Sequence, residues 1–190
     1  MPRLSVARPP ARPSTGEQHA RQDRMLRAAA RLGSRLPLDR VQMAELAAEA
    51  DVALGTLYRY YPSKHHLFAG LLMGRMSALE PPTSSGAAGV ADLLGGACQA
   101  LLARPLLAEA MITSVNVVRA GQSAQGGTGQ GETSLRDLIA RVAGTDDLAL
   151  ARIVEQTAYG VFTWAAAGEI TPAQAEADVR RACGLLLADC

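Results

Sequence analysis

Apolar residues recur at three- and four-residue steps along most of the chain, and no stretch alternates well enough to read as a strand. From about Glu17 to Arg35, the residues Met25, Leu26, Ala29, Leu32 and Leu36 fall on one helical face, and Pro37 stops the run. A second helix is expected over Gln42 to Ala50, with Met43, Leu46, Ala47 and Ala50 at helical spacing. Ala50-Asp51-Val52 then reads as a tight turn, in which aspartate tolerates the left-handed backbone that glycine usually supplies. A third helix follows over Ala53 to Tyr60. After Pro62, Ser63 can N-cap a fourth from Lys64 to about Leu79.

The stretch PPTSSGAAG at 81–89 is the expected boundary between an N-terminal head and a C-terminal body. Further helices are expected at 90–103, 105–119, 132–143, 147–167 and 172–188. Thr171-Pro172-Ala173-Gln174 opens the last one with an N-cap threonine, a first-turn proline and a glutamine three residues after the cap. GQSAQGGTGQG at 121–131 reads as a flexible loop. The pattern therefore predicts an all-α protein with a tail at 1–16, a head at 17–80 and a body at 81–190.

Composition supports helices. The chain is 48% hydrophobic but only 4% aromatic, and alanine and leucine supply most of the apolar surface. The formal charge of +1 hides an asymmetry. Residues 1–80 hold twelve basic and seven acidic side chains, a balance of +5; residues 81–190 hold seven and eleven, a balance of −4. A basic head suits a phosphate-bearing partner. Cys98, Cys183 and Cys190 are far apart and include no CxxC pair, which argues against a disulfide framework and against a zinc site. No run of eighteen apolar residues exists, and the proline-rich start SVARPPARPSTGEQ lacks an apolar core, so neither a membrane span nor a signal peptide is expected and the reading is cytoplasmic.

Candidate chemistry concentrates in Val52 to Tyr61, where a glycine, a threonine, an arginine and three tyrosines share ten residues. Helix, tight turn and a polar-tipped second helix form a helix-turn-helix that docks in a DNA major groove. The run VQMAELAAEADVALGTLYRYYPSKHHLF, and above all its core GTLYRYYPSK from Gly55 to Lys64, resembles the TetR family of transcriptional regulators over about Gln22 to Leu72. RVQMAELAAEADVALGTLYRYYPSKHHL and, more faintly, RPLLAEAMITS at 104–114 are most similar to the branch of that family that represses cholesterol-catabolism genes. The chain departs from the family pattern at Pro37-Leu38, at Asp51 in the turn, and at Gln42 and Ala53 where serine or threonine is common.

The resemblance implies a three-helix DNA-binding head, a helical body for ligand binding and dimerisation, a pseudo-palindromic double-stranded operator, a homodimer, a small-molecule effector, no membrane partner, no cofactor and no enzymatic activity. Its implied DNA contacts are Gln42, Ala53, Leu54, Gly55, Thr56, Tyr58, Arg59, Tyr60 and Lys64, with Arg21 and Arg24 as phosphate partners. The Thr56 methyl can meet a thymine methyl, the Tyr58 hydroxyl can donate to a phosphate, and the Lys64 ammonium suits another. Tyr58 and Tyr60 also fit half-buried aromatics, Tyr61 is expected against the first helix, and Leu57 is core.

In the body, Met111, Ser114, Val115, Val118, Arg119, Tyr159, Phe162 and Thr163, with Thr113, Asn116, Val117 and Trp164 nearby, mix apolar bulk with polar tips. That mixture fits a pocket for a largely apolar ligand, and equally a core or an interface. Steroid-like or acyl-thioester ligands come first by the resemblance alone, with Arg119 facing an anionic headgroup. The last two helices are expected to form the dimer seam through Leu148, Ile153, Val161, Trp164, Val179, Leu185 and Leu186. His65 and His66 are adjacent and point about 100° apart on a helix, so no metal site is expected. No serine or cysteine sits in a nucleophile elbow, and no carboxylate pair has a telling spacing. The competing readings are an efflux-gene regulator with a promiscuous pocket, and a helical adaptor or enzyme.

Overall fold

A computed structural model describes residues 13–123 and 135–188. The expected tail lies mostly outside these residues, as do residues 124–131 of the expected loop. Among the described residues there are nine helices and no strand. They are α1 Gly16–Gly33, α2 Met43–Glu49, α3 Leu54–Tyr60, α4 Lys64–Ser77, α5 Gly86–Leu102, α6 Pro105–Ser123, α7 Leu135–Ala143, α8 Leu148–Ala166 and α9 Pro172–Leu186.

Local chemistry accounts for the helix starts. Thr15 caps α1 by accepting from the Gln18 N–H, Ser63 caps α4 through the His66 N–H, and Asp147 caps α8 through the Ala149 and Leu150 N–H groups. Thr171 and Gln174 bond reciprocally at the start of α9, with Pro172 in its first turn. Two helices differ noticeably from expectation: α5 begins four residues early, at Gly86 behind the Ser85 cap, and α6 runs four residues past 119 to Ser123, so that 121–123 of the expected loop are helical.

The head packs α1, α2, α3 and the start of α4 around one apolar centre. Met25, Ala28 and Ala29 of α1, Leu46 of α2, Leu57 of α3, and Leu67 and Phe68 of α4 are fully or almost fully buried. Each large apolar side chain so buried stabilises the head by about 2 kcal/mol. Gly33 permits a close approach: a Cβ there would sit 2.6 Å from Phe68 Cε1 and 2.9 Å from Leu107 Cδ1. The end of α1 therefore meets both α4 and the body helix α6.

In the body, α5 lies against α9. Arg180 Nη1 donates to Asp92 at 2.9 Å, and Gln99 Nε2 to Glu176 at 2.7 Å, so the two helices run antiparallel. Helix α8 packs on α7 and α9, and α4 runs along α6. Buried residues of head and body form one continuous apolar cluster. Val179 points into that cluster at 1% exposure and Leu186 is half-buried against it, so Val179 is core and does not belong to an outward seam. Among the described residues no single helix is long and apolar enough to cross a membrane.

Candidate nucleic-acid interface and effector cavity

The α2–α3 turn takes the expected shape. Asp51 has φ 53°, alone among non-glycine described residues in the left-handed region. The reversal is closed by backbone bonds from the Val52 N–H to the Ala47 carbonyl at 3.0 Å and from the Asp51 N–H to Ala48 at 3.1 Å. Leu57 and Tyr60 then face inward, at 0% and 7% exposure. Ala53, Leu54, Gly55, Tyr58 and Arg59 face solvent, and Thr56 is half-buried. Gln42 is exposed at the start of α2, where its backbone N–H donates to Glu45 at 3.4 Å.

Two expected contacts have partners within the protein. Tyr60 lies one helical turn from Leu57 on the same inward face and packs in the head core. Lys64 Nζ donates to three backbone carbonyls of the loop before α2: Leu38 at 2.7 Å, Val41 at 3.1 Å and Asp39 at 3.3 Å. An ammonium has three hydrogens, and each meets one of these carbonyls, so Lys64 clamps the loop before α2. Arg24 is likewise engaged, its Nε 3.4 Å from the Ala50 carbonyl at the end of α2, and Arg21 pairs with Glu17. Tyr61 meets α1 as expected: its hydroxyl accepts from Gln22 Nε2 at 3.0 Å, and burial pushes its phenol above the ordinary value.

A cavity of about 200 Å³ opens among α4, α5, α6, α7 and α8. Val115, Arg119, Tyr159 and Phe162 line it, as the sequence led one to expect. Met111, Ser114, Val118 and Thr163 do not. Met111 is core at 0% exposure; Ser114 is equally buried, its Oγ 3.3 Å from His65 Nδ1 of α4; Val118 packs partly on the core; Thr163 Oγ1 donates to its own helix at Tyr159. Val117 and Trp164 point outward at 46% and 58% exposure.

The sequence missed the α4 wall, Leu72, Met73 and Met76, and the polar rim, Arg136, Glu155 and Gln156. The 72/73/76 spacing was the available signal for the former. At the rim the Arg119 guanidinium lies 4.6 Å over the Tyr159 ring, a cation–π contact. The Tyr159 hydroxyl donates to Asn116 Oδ1 at 2.8 Å, and burial raises its pKa. Arg136 Nη2 meets Glu155 Oε2 at 3.0 Å. The rim thus carries two cations, one carboxylate and an apolar floor. Among the described residues no group of three or more His, Cys, Asp or Glu is placed to hold a metal.

Residues 25–71 match the N-terminal domain described as bacterial regulatory proteins, tetR family, and residues 84–186 match a tetracyclin repressor-like C-terminal domain. The HTH-type transcriptional repressor KstR of Mycobacterium tuberculosis is 35% identical over 131 residues, covering 65% of this chain and 59% of that protein. Its namesake in Mycolicibacterium smegmatis is 38% identical over 101 residues, half of each chain. The chain thus spans about half to three fifths of the length of these curated relatives. A TetR transcriptional regulator from Rhodococcus sp. RHA1 superposes with a TM-score of 0.76 at 37% identity, covering 93% of this chain and 99% of that one. With the two domain matches together taking in α2–α4 and nearly all of the body, the chain belongs to the tetR family of bacterial regulatory proteins.

Proposed function

We propose that the chain is a dimeric, DNA-binding transcriptional repressor of the cytoplasm, released from its operator by a small, largely apolar ligand. Residues 17–80 serve as the reading head and 81–190 as the effector and dimerisation body. The observation that carries this reading is that one helix belongs to both sites. Leu72, Met73 and Met76 of α4 line the cavity, while Lys64 at its other end clamps the loop that leads into α2.

The cavity, at about 200 Å³, lies below the roughly 300–1,000 Å³ of pockets that hold drug-sized ligands. A larger ligand enters only by displacing lining side chains, and the flexible α4 methionines yield first. The ligand then favours a different α4 setting, in which two recognition helices no longer fit successive major grooves. The shift is limited by the ligand's differential affinity for the two forms. Two arginines against one glutamate at the rim favour an anionic headgroup, with Arg119 as its first partner. Steroid-like and acyl-thioester metabolites stand first because of the resemblance to the cholesterol-catabolism branch.

A gel-shift with DNA from the chain's own promoter region, at about 50 and 200 mM salt, tests the binding step. A protein that neutralises six or more phosphates loses about a thousandfold in affinity between these salts. Affinity indifferent to salt sinks the reading in favour of an adaptor. For the effector, a ligand at one hundred times its dissociation constant stabilises the folded chain by about 2.7 kcal/mol. If cationic drugs raise the melting temperature and free the DNA while steroid and acyl-CoA compounds do neither, the chain is an efflux-gene regulator.

A further inference from the structure

We infer that the effector ends in a single carboxylate and that Glu155 sets this preference, holding Arg136 until the ligand's carboxylate takes its place. The inference rests on the effector reading above and goes beyond it by naming the headgroup and the residue it displaces. Glu155 and Tyr159 stand one turn apart on α8, and both line the cavity. Each holds an arginine from another helix. Arg119 of α6 lies over the Tyr159 ring, and Arg136 of α7 pairs with Glu155. The two guanidinium groups are therefore neighbours at the rim, and a headgroup drawn by the first meets the second.

The Arg136–Glu155 pair is open to exchange. Arg136 directs both Nε, at 3.2 Å, and Nη2, at 3.0 Å, to one oxygen, Glu155 Oε2. Glu155 Oε1 accepts no bond among the described residues. In the stronger arrangement, two parallel N–H groups meet two carboxylate oxygens. A ligand carboxylate, free to turn, reaches that arrangement, whereas Glu155 is tethered to α8. Both side chains are only half-buried, so Glu155 can swing towards water without stranding a charge in the interior. Once displaced, it still stands beside the headgroup. A phosphate monoester brings two negative charges against it, and a thioester carbonyl brings none to Arg136. A carboxylate brings one, and the apolar walls from α4, α6 and α8 take the rest of the molecule.

The probes are decanoate, decyl phosphate, decanoyl-CoA and decanol, which share one tail length. Each is titrated against the neutral dye N-phenyl-1-naphthylamine on the full chain, with displacement read as lost fluorescence. The wild type should bind decanoate more tightly than the phosphate or the thioester. Glu155→Gln removes the competing charge, so affinity for decanoate relative to decanol should rise about fivefold, the weight of one unit charge about 4 Å away in a well-hydrated setting. Arg136→Gln should lower the same ratio by a similar factor. A pair that merely ties α7 to α8 would move decanoate and decanol together in both variants. The inference is overturned if the ratio keeps its wild-type value in either variant, or if the phosphate or the thioester binds the wild type more tightly than decanoate. If no probe displaces the dye or shifts the melting temperature, the cavity takes no apolar ligand. The effector reading has then failed, and this inference falls with it.

Discussion

At the scale of single residues, Lys64 has partners that its motif position does not announce. The family pattern places a cation at the start of α4, and a cation beside DNA reads naturally as a phosphate contact. The structure instead spends its three hydrogens on Leu38, Asp39 and Val41, residues some twenty-five positions earlier. No local pattern encodes that partnership, because it depends on how the loop after α1 folds back over α4. Lys64→Ala should therefore act on stability: removing charged hydrogen bonds at a half-buried site costs about 1–2 kcal/mol, moderated because water can replace part of the clamp. Thermal melting should fall, while the slope of operator affinity against salt stays within experimental error of the wild type. A slope reduced by about one unit, with melting unchanged, would restore the phosphate role. Tyr60 is the opposite case. Leu57 is legible as core, and Tyr60, which the sequence leaves open between a half-buried aromatic and a DNA contact, lies three residues on along the same face and is buried. The resemblance drew it outward, and packing did not follow.

At the scale of elements, the helices were almost wholly legible and their tertiary partners were not. Asp51 marks the α2–α3 turn, Pro37 ends the approach from α1, and Thr171 with Gln174 opens α9; each is a local chemical rule acting within four residues. That α4 lines the cavity with Met73 and Met76 depends on its lying along α6, which no window of sequence reports. The α4–α6 seam also carries a titratable contact. His65 Nδ1 meets the buried Ser114 Oγ at 3.3 Å, and His66 Nδ1 meets the capping Ser63 Oγ at 2.9 Å. Burial holds both imidazoles below their ordinary pKa; for His65, the positive charges of Lys64 and His66 add to it. A base whose folded pKa is lowered takes up fewer protons folded than unfolded. Its contribution is complete above about pH 6.5 and is lost as the pH falls through the ordinary histidine value. Thermal midpoints should accordingly drop between pH 7.5 and 5.5, and the drop should shrink in a His65→Gln/His66→Gln variant. Equal drops in both proteins would place the pH sensitivity elsewhere in the chain.

At the scale of the whole molecule, two asymmetries frame the proposed assembly. The basic balance lies in the half that carries α3 and the acidic balance in the half that carries α8 and α9, and the proposed assembly assigns DNA to the first and a second copy to the other. On the acidic half, Ile153 and Trp164 of α8 stand exposed at 44% and 58%, eleven residues and thus about three turns apart on one stripe that includes Thr157 and Gly160. Leu185 of α9 is exposed at 65%, and a shallow groove beside Gly160, Val161, Trp164, Ile170 and Asp178 lies between the two helices. A two-fold axis near this stripe would let each Trp164 enter the groove of the other copy, the glycine leaving room for the indole. Leu186, one of the expected seam residues, is half-buried against the body core, so a charge there would unsettle the fold as well as the interface. Trp164→Glu avoids that confusion, because the side chain it removes is mostly outside the core. With an anchor of this size worth at least about 2 kcal/mol, the dimer dissociation constant should rise some thirtyfold or more. Light scattering should then report monomer at micromolar concentration with an unchanged helical circular dichroism spectrum. Operator affinity should fall with it, since each half-site would be bound without the help of the other. A Trp164→Glu protein that scatters as a dimer would move the two-fold axis away from α8 and α9, and with it the spacing expected between the two recognition helices.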